Sequence, residues 1–303
     1  MINPQELRRL EFVLARRLNG MLHGDVLGVR HGQGSEIGDA RLYEHGDDVR
    51  RIDWALVART GETYVRDVVA DREVTAVVLC DQSESMLTGT RGDTRARIAQ
   101  VSATAFGYLI SRGPNKFGVL GIRGGRERWW KPQSGTEHIA TVMHQLGRWA
   151  NEPAEGGQRS LGQGMERVSQ LHPRRGVVAV VSDFLDKDWQ RPLSALAHVH
   201  DTVCIRIVDP VDLNLPDVGV VRLVDPETNA QLSVDTTSKR IREAYHRQAL
   251  VRQERIKAKI QHAGAQEWVI RTDQDPVTQM ISQVLERQRV LQAMSGTVAR
   301  KAS

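Results

Sequence analysis

From residue 76 onward, short apolar runs alternate with stretches of helical period. Ala76–Cys80, Lys116–Ile122, Val177–Val181, Thr202–Val208 and Glu267–Ile270 read as strands. Ala76–Cys80 and Val177–Val181 are continuously apolar, which suits strands covered on both faces. Between the strands, Arg95–Ile110, Thr136–Trp149, Ser160–Leu171, Asp188–His200, 238–262 and about 276–291 read as helices. In the first of these, Ile98, Val101, Ala105 and Leu109 recur at helical spacing. Ser160 offers an N-cap for the third, and Pro173 follows its end. The alternation predicts an α/β fold with a mainly parallel sheet and helices on both faces.

Some segments break the rhythm. Residues 211–236 read as two short strands around the turn Asp225-Pro-Glu-Thr-Asn, a hairpin inserted after a sheet strand. Arg128–Lys131 reads as a hairpin mate of Lys116–Ile122. Trp129 and Trp130 pack at that strand's edge or under a helix; exposed, they would make an interface anchor. At the start, Leu7, Leu10, Leu14 and Leu18 form one stripe of an amphipathic helix over 1–22, packed on its own domain or lying on a membrane surface. Glycines at 24, 28, 32, 34 and 38 give an irregular path with no phosphate-loop ending. The span 23–75 ends in a charge-dense stretch that also carries Tyr43, Trp54 and Tyr64, as an ordered subdomain would. The sheet domain spans 76–292, and 293–303 is a frayed tail.

Composition narrows the classes. Hydrophobic residues make up 40% and charged residues 26% of the 303, an ordinary globular balance. No apolar run approaches the roughly 18 residues of a membrane span. The charged start lacks a secretion signal's apolar core, so a cytoplasmic location is expected. The net charge of +5 favours an anionic partner surface, yet no basic block is interleaved with aromatics, and the chain does not read as a nucleic-acid binder. Cys80 and Cys204 lie inside apolar runs without zinc-ligand spacing and read as buried, reduced thiols.

The candidate chemistry sits where strands end. Val77–Met86 runs an apolar strand into Asp81-x-Ser83-x-Ser85. That places one carboxylate and two hydroxyls at the carboxyl end of a strand, where open α/β sheets bind ligands. Hard cations such as Mg²⁺ or Mn²⁺ take oxygen ligands of this kind with water. About a hundred residues on, Val177–Ser182 delivers Asp183 and Phe184 in the same way. Asp183 is either a convergent ligand or a turn and helix-cap residue.

Upstream, Gly46-Asp47-Asp48-Val49-Arg50-Arg51-Ile52-Asp53-Trp54 precedes Arg59 and Arg66. Such alternation suits bidentate carboxylate–guanidinium pairs. Asp47, Asp48, Arg50, Asp53, Trp54 and Arg59 form either a structural ion-pair network or a recognition surface. Helix 238–262 carries eight Lys and Arg against Glu243 and Glu254, a solvated basic face or a dock for an acidic partner.

These motifs resemble a bacterial family called domain of unknown function fifty-eight. The resemblance rests on G-D-D-x-R-x-I-D-W, on Asp81-Gln-Ser-Glu-Ser-Met86, on Val181-Ser-Asp183-Phe184 and on the inserted hairpin, over roughly residues 26–290. It implies a von Willebrand A-like (Rossmann-like) open sheet with an N-terminal subdomain. D-x-S-x-S is the spacing of the metal-ion-dependent adhesion site of such domains; the resemblance implies a third ligand from the loop Glu155–Gly162, where the family threonine is absent and Ser160 could supply the hydroxyl instead, or Gln158 or Arg159 could stand there, Arg159 setting a cation against a cation site. It also implies a working link to MoxR-type AAA+ ATPases. Many relatives carry membrane helices ahead of the signature, where this chain has its charged first helix. No Walker motif occurs in the chain, so ATP use would be the partner's. The leading expectation is a non-enzymatic module that grips an acidic residue of a client protein through a cation. The alternatives are a Mg²⁺-dependent phosphoesterase and a metal-free scaffold.

Overall fold

The computed structural model describes residues 36–43, 49, 52–69, 73–89, 93–111, 114–152, 157, 159–224 and 231–286. The expected helix within 1–22, residues 23–35 of the glycine-rich path expected to run to 40, the hairpin turn 225–230 and the tail 293–303 lie outside them; the end of that path, with Gly38, is not irregular but forms a strand over Glu36–Leu42.

The sheet has six strands: β3 (Thr75–Asp81), β4 (Lys116–Arg123), β5 (Arg126–Ser134), β6 (Val177–Ser182), β7 (Asp201–Val208) and β10 (Gln266–Arg271). Their order is β10-β7-β6-β3-β4-β5. All neighbours are parallel except the β4–β5 hairpin. Counted along the chain this is the doubly wound order 3-2-1-4-5-6, its sixth strand being β10. The chain runs outward from β3 through β4, then returns and runs the other way through β6, β7 and β10. The order therefore reverses between β3 and β6.

Strand alternation divides the core. Ala76, Val78 and Cys80 face α2 (Arg95–Ile110), α3 (Thr136–Ala150) and the helix over 276–286. Val77 and Leu79 face α4 (Leu161–Leu171), α5 (Gln190–Val199) and α6 (Lys239–His262). The apolar stripe expected of α2 understates its burial: nearly every residue from Arg95 to Ile110 is buried. It is the central helix of its layer, and Ser, Thr, Ala and Gly on its remaining faces let neighbours approach. Gly107 shows this, because a Cβ there would stand 3.0 Å from Phe117.

β5 runs longer than the expected Arg128–Lys131. Trp130 turns inward, donates to Gln145 Oε1 at 2.7 Å and meets Trp149 edge-on. Trp129 packs on the other layer, so the tryptophan pair straddles the edge strand. Both cysteines are free and buried. α6 buries only Ala249, Ile256 and Ile260, and Arg240, Arg247, Arg252, Arg255 and Lys257 face outward.

Two small ribbons stand beside the sheet. β8 (Val220–Val224) and β9 (Gln231–Asp235) pair antiparallel as the inserted hairpin. β1 (Glu36–Leu42) and β2 (Tyr64–Val69) pair antiparallel around α1 (Trp54–Thr60). The sequence expectation was an ordered subdomain without assigned elements, since its dense charge hid the strand alternation.

Candidate metal centre

Asp81 ends β3 and Asp183 follows β6. The two strands are neighbours, with Cys80 opposite Val181. The two carboxylates thus converge on the crevice where the strand order reverses, the place at which open α/β sheets bind ligands. Both are 5% exposed.

Backbone geometry fixes each one. Asp81 Oδ1 accepts the Ser83 amide at 2.8 Å, and its Oδ2 accepts the Ser182 hydroxyl at 2.7 Å. Asp183 Oδ1 accepts the Leu185 amide at 3.0 Å. Phe184, between them, adopts φ 57°, a left-handed conformation unusual for a large residue. Ser182 Oγ accepts its amide at 3.1 Å, and Trp189 meets its ring edge-on. Ser83 and Ser85 stand with their hydroxyl oxygens 3.1 Å apart. The loop then closes into a 3₁₀ turn, Glu84–Leu87, pinned by the buried Met86.

The electrostatics are those of two buried acids. Burial first, then the charge of Asp183, push the Asp81 carboxyl up to about 6. Burial also raises Asp183, while the Leu185 amide, the Arg95 charge and the nearby Ser85 hydroxyl pull it back. Asp183 Oδ2 is buried without a hydrogen-bond partner. An orphaned carboxylate oxygen beside a second buried carboxylate and two hydroxyls fits a hard divalent cation in ligand type and charge. Among the described residues no group of three or more His, Cys, Asp or Glu stands together as metal ligands would. A cation here would rest on two carboxylates with hydroxyls and water.

The other expected residues stand apart. Ser160 caps α4: its hydroxyl accepts the Gln163 amide at 3.2 Å in a reciprocal capping box. That hydroxyl bonds neither carboxylate. Arg159 turns to Glu127 at 2.9 Å, shared with Arg167 at 2.8 Å, so the feared cation beside the site is drawn to the β4–β5 edge. Gln158, Asp47, Asp48 and Arg50 lie outside the described residues. Asp53 caps α1, accepting from the Ala55 and Leu56 amides. Trp54 is 69% exposed, and Arg59 Nε donates to the Ala55 carbonyl at 3.3 Å.

Three residues at the site were not singled out from the sequence: Ser182, Arg95 and Asp212. Ser182 sits inside the quoted motif, and its alternation placed it in the strand rather than the site. Arg95 read only as the first residue of a helix. It donates to the Ser85 carbonyl, in the loop that carries Ser83 and Ser85, at 2.9 Å, and to Asp212, in the turn after β7, at 2.5 Å. No spacing in the sequence pairs residues so far apart.

Residues 39–255 match the family model described as Protein of unknown function DUF58. Uncharacterized protein Rv1480 of Mycobacterium tuberculosis is 36% identical over 286 residues, 93% of this chain and 89% of that one. Among solved structures, the conserved hypothetical protein BatB from Bacteroides thetaiotaomicron aligns with a TM-score of 0.43 at 13% identity, over 71% of this chain and 98% of that one. The SpRpn10 VWA domain aligns with a TM-score of 0.40 at 17% identity, over 70% and 95%. At such scores the fold assignment rests on the strand order and directions given above.

Proposed function

The chain belongs to the DUF58 family, and from that footing we propose that it is a non-enzymatic protein-interaction module whose contact point is the Asp81–Asp183 crevice. Asp81, Ser83, Ser85 and Asp183 would hold Mg²⁺ or Mn²⁺. When bound, the cation supplies an open coordination position that a carboxylate of a client protein can fill. The observation that carries this reading is the buried, unpartnered Oδ2 of Asp183 beside a second buried carboxylate at the reversal of strand order. A carboxylate left so costs stability unless something binds it.

The chain's own residues do the preparatory work. Ser182 and the Ser83 amide hold both oxygens of Asp81, and the Leu185 amide fixes Asp183. The loop hydroxyls then face a carboxylate pair whose orientation is set before any ligand arrives. Ser160 joins only if its helix cap opens, so it ranks as an auxiliary ligand. The exposed Trp54 and Arg59 offer a second contact surface on α1, with Asp53 shaping its start. The family resemblance supplies the working partner, a MoxR-type AAA+ ATPase whose hydrolysis would drive assembly or activation of the client complex. Among the described residues no helix is long and apolar enough to cross a membrane.

The test is calorimetric titration of Mg²⁺ and Mn²⁺ into the protein and into Asp81→Ala. Saturable binding lost in the variant supports the reading. Equal binding by both, or none by either, overturns it.

A further inference from the structure

Arg95 opens α2, and its side chain is only 10% exposed. This is a costly place for a guanidinium. It is always charged, so burial strips water from a full charge. It also stands in the first turn of a helix, where the macrodipole disfavours cations. A residue that breaks two local rules needs compensation, and such breaches concentrate at functional sites.

The compensation is specific. Nη1 donates to the Ser85 carbonyl at 2.9 Å and to Thr88 Oγ1, both in the loop that carries Ser83 and Ser85. Nη2 pairs with Asp212 Oδ1 at 2.5 Å. Nε is buried without a partner. Asp212 lies in the 3₁₀ turn Pro210–Asp212 after β7, where the inserted hairpin departs. Its other oxygen accepts the Asp209 amide at 2.9 Å, so the turn itself holds it in place. Arg95 thus joins the metal loop to the root of the insertion, with its charge acting on Asp183. Asp212 acts on Asp183 in the opposite sense.

We infer that Arg95 is a positioning residue that serves as a resident counter-ion of Asp183 and weakens divalent-cation binding in the Asp81–Asp183 crevice, with Asp212 setting how much of its charge Asp183 feels. The inference rests on the proposed metal reading of that pair. In the absence of a divalent ion, a fixed positive charge acting on the buried Asp183 offsets part of the cost of its ionisation. In its presence, the same charge repels the ion. The site is thereby set for weak, reversible occupancy, and a client's carboxylate, which adds negative charge, would tighten it.

A purely structural clamp makes a different prediction, and the sign separates the two. Mn²⁺ is titrated by calorimetry into the full chain and into Arg95→Gln, Asp212→Asn and Arg95→Lys at fixed ionic strength, each variant checked by thermal melting. Arg95→Gln should bind roughly tenfold tighter and Asp212→Asn several-fold weaker, the size of one neighbouring charge in a partly shielded site. Arg95→Lys, which keeps the charge and loses the fork, should stay within about twofold of wild type. Weaker binding by both Arg95→Gln and Arg95→Lys, or no change in Asp212→Asn, overturns the inference and leaves the metal reading intact. If Arg95→Gln does not fold, the Arg95→Lys and Asp212→Asn results decide alone. No binding by any of the four proteins overturns both readings.

Discussion

The hydroxyl of Ser182 donates to Asp81 Oδ2 at 2.7 Å across 101 residues of sequence. It joins the ends of β6 and β3, the two strands between which the chain reverses its winding. Ser182 Oγ also accepts the Phe184 amide. One buried hydroxyl therefore orients the first carboxylate and stabilises the left-handed turn that presents the second.

Ser182→Ala should cost about 2–4 kcal/mol in urea unfolding. It leaves Asp81 Oδ2 and the Phe184 amide buried without this partner, and each such group costs about 1–3 kcal/mol. Loss below about 0.5 kcal/mol would show that neither group depends on the hydroxyl.

Asp81→Asn should stabilise the protein in chelator at neutral pH. The folded-state carboxyl sits at about 6, above its ordinary 3.8. The native state therefore holds the proton more tightly, and this stability is present below pH 3.8 and lost as pH rises through 6. Asparagine removes that loss, worth on the order of 1–3 kcal/mol. Thermal melts should show the gain at pH 7.5 and little of it at pH 4. A variant melting lower at pH 7.5 would show that the buried charge is fully compensated without a cation.

Glu267→Ala should be among the most destabilising single changes. Arg206 Nε pairs with Glu267 Oε1 at 2.6 Å, with side chains only 5% and 8% exposed. Removing the acid leaves a buried guanidinium whose remaining side-chain acceptor is Gln253. Breaking such pairs costs about 3–5 kcal/mol. Glu267→Gln, which keeps an acceptor, should lose less, and chemical denaturation of the two variants compares them.

Stability should fall as pH drops below 6.5, through His172 and His200. The rings stack with centroids 5.0 Å apart in a buried corner. Burial and then the neighbouring His172 push His200 down to about 4; burial lowers His172 as well. The unfolded chain then binds more protons than the native one between about pH 6.5 and 4. The slope of stability against pH is positive there, and His200 accounts for roughly 1–3 kcal/mol of stability across that window. Melts at pH 7 and pH 5 should differ less in His200→Phe than in wild type. An unchanged difference would assign the acid sensitivity elsewhere.

Much of the fold can be read from local pattern. Val177–Val181 is apolar enough to be buried on both faces, and it is. Ser160 lies where a helix cap belongs, and it caps. These properties depend on neighbours within a few residues, and side-chain period reports them directly. The β1–β2 ribbon escaped because Glu36–Leu42 carries Asp39 and Arg41 among its apolar positions, so no clean alternation appears.

The sequence by itself determined the elements of the sheet domain and delivered Asp81, Ser83, Ser85 and Asp183 to the ends of strands. It could not place those ends together. Strand order is a matter of long-range pairing, and only the tertiary structure set β3 beside β6. The same holds for Arg95. Its sequence neighbours describe a helix start, and its partners Ser85 and Asp212 lie in two other loops. Ser160 shows the converse: the residue type suited a metal, and the local cap claimed its hydroxyl because a backbone amide three residues away is always within reach. Local hydrogen bonding is written in the chain, whereas charge placed across the crevice is decided by packing.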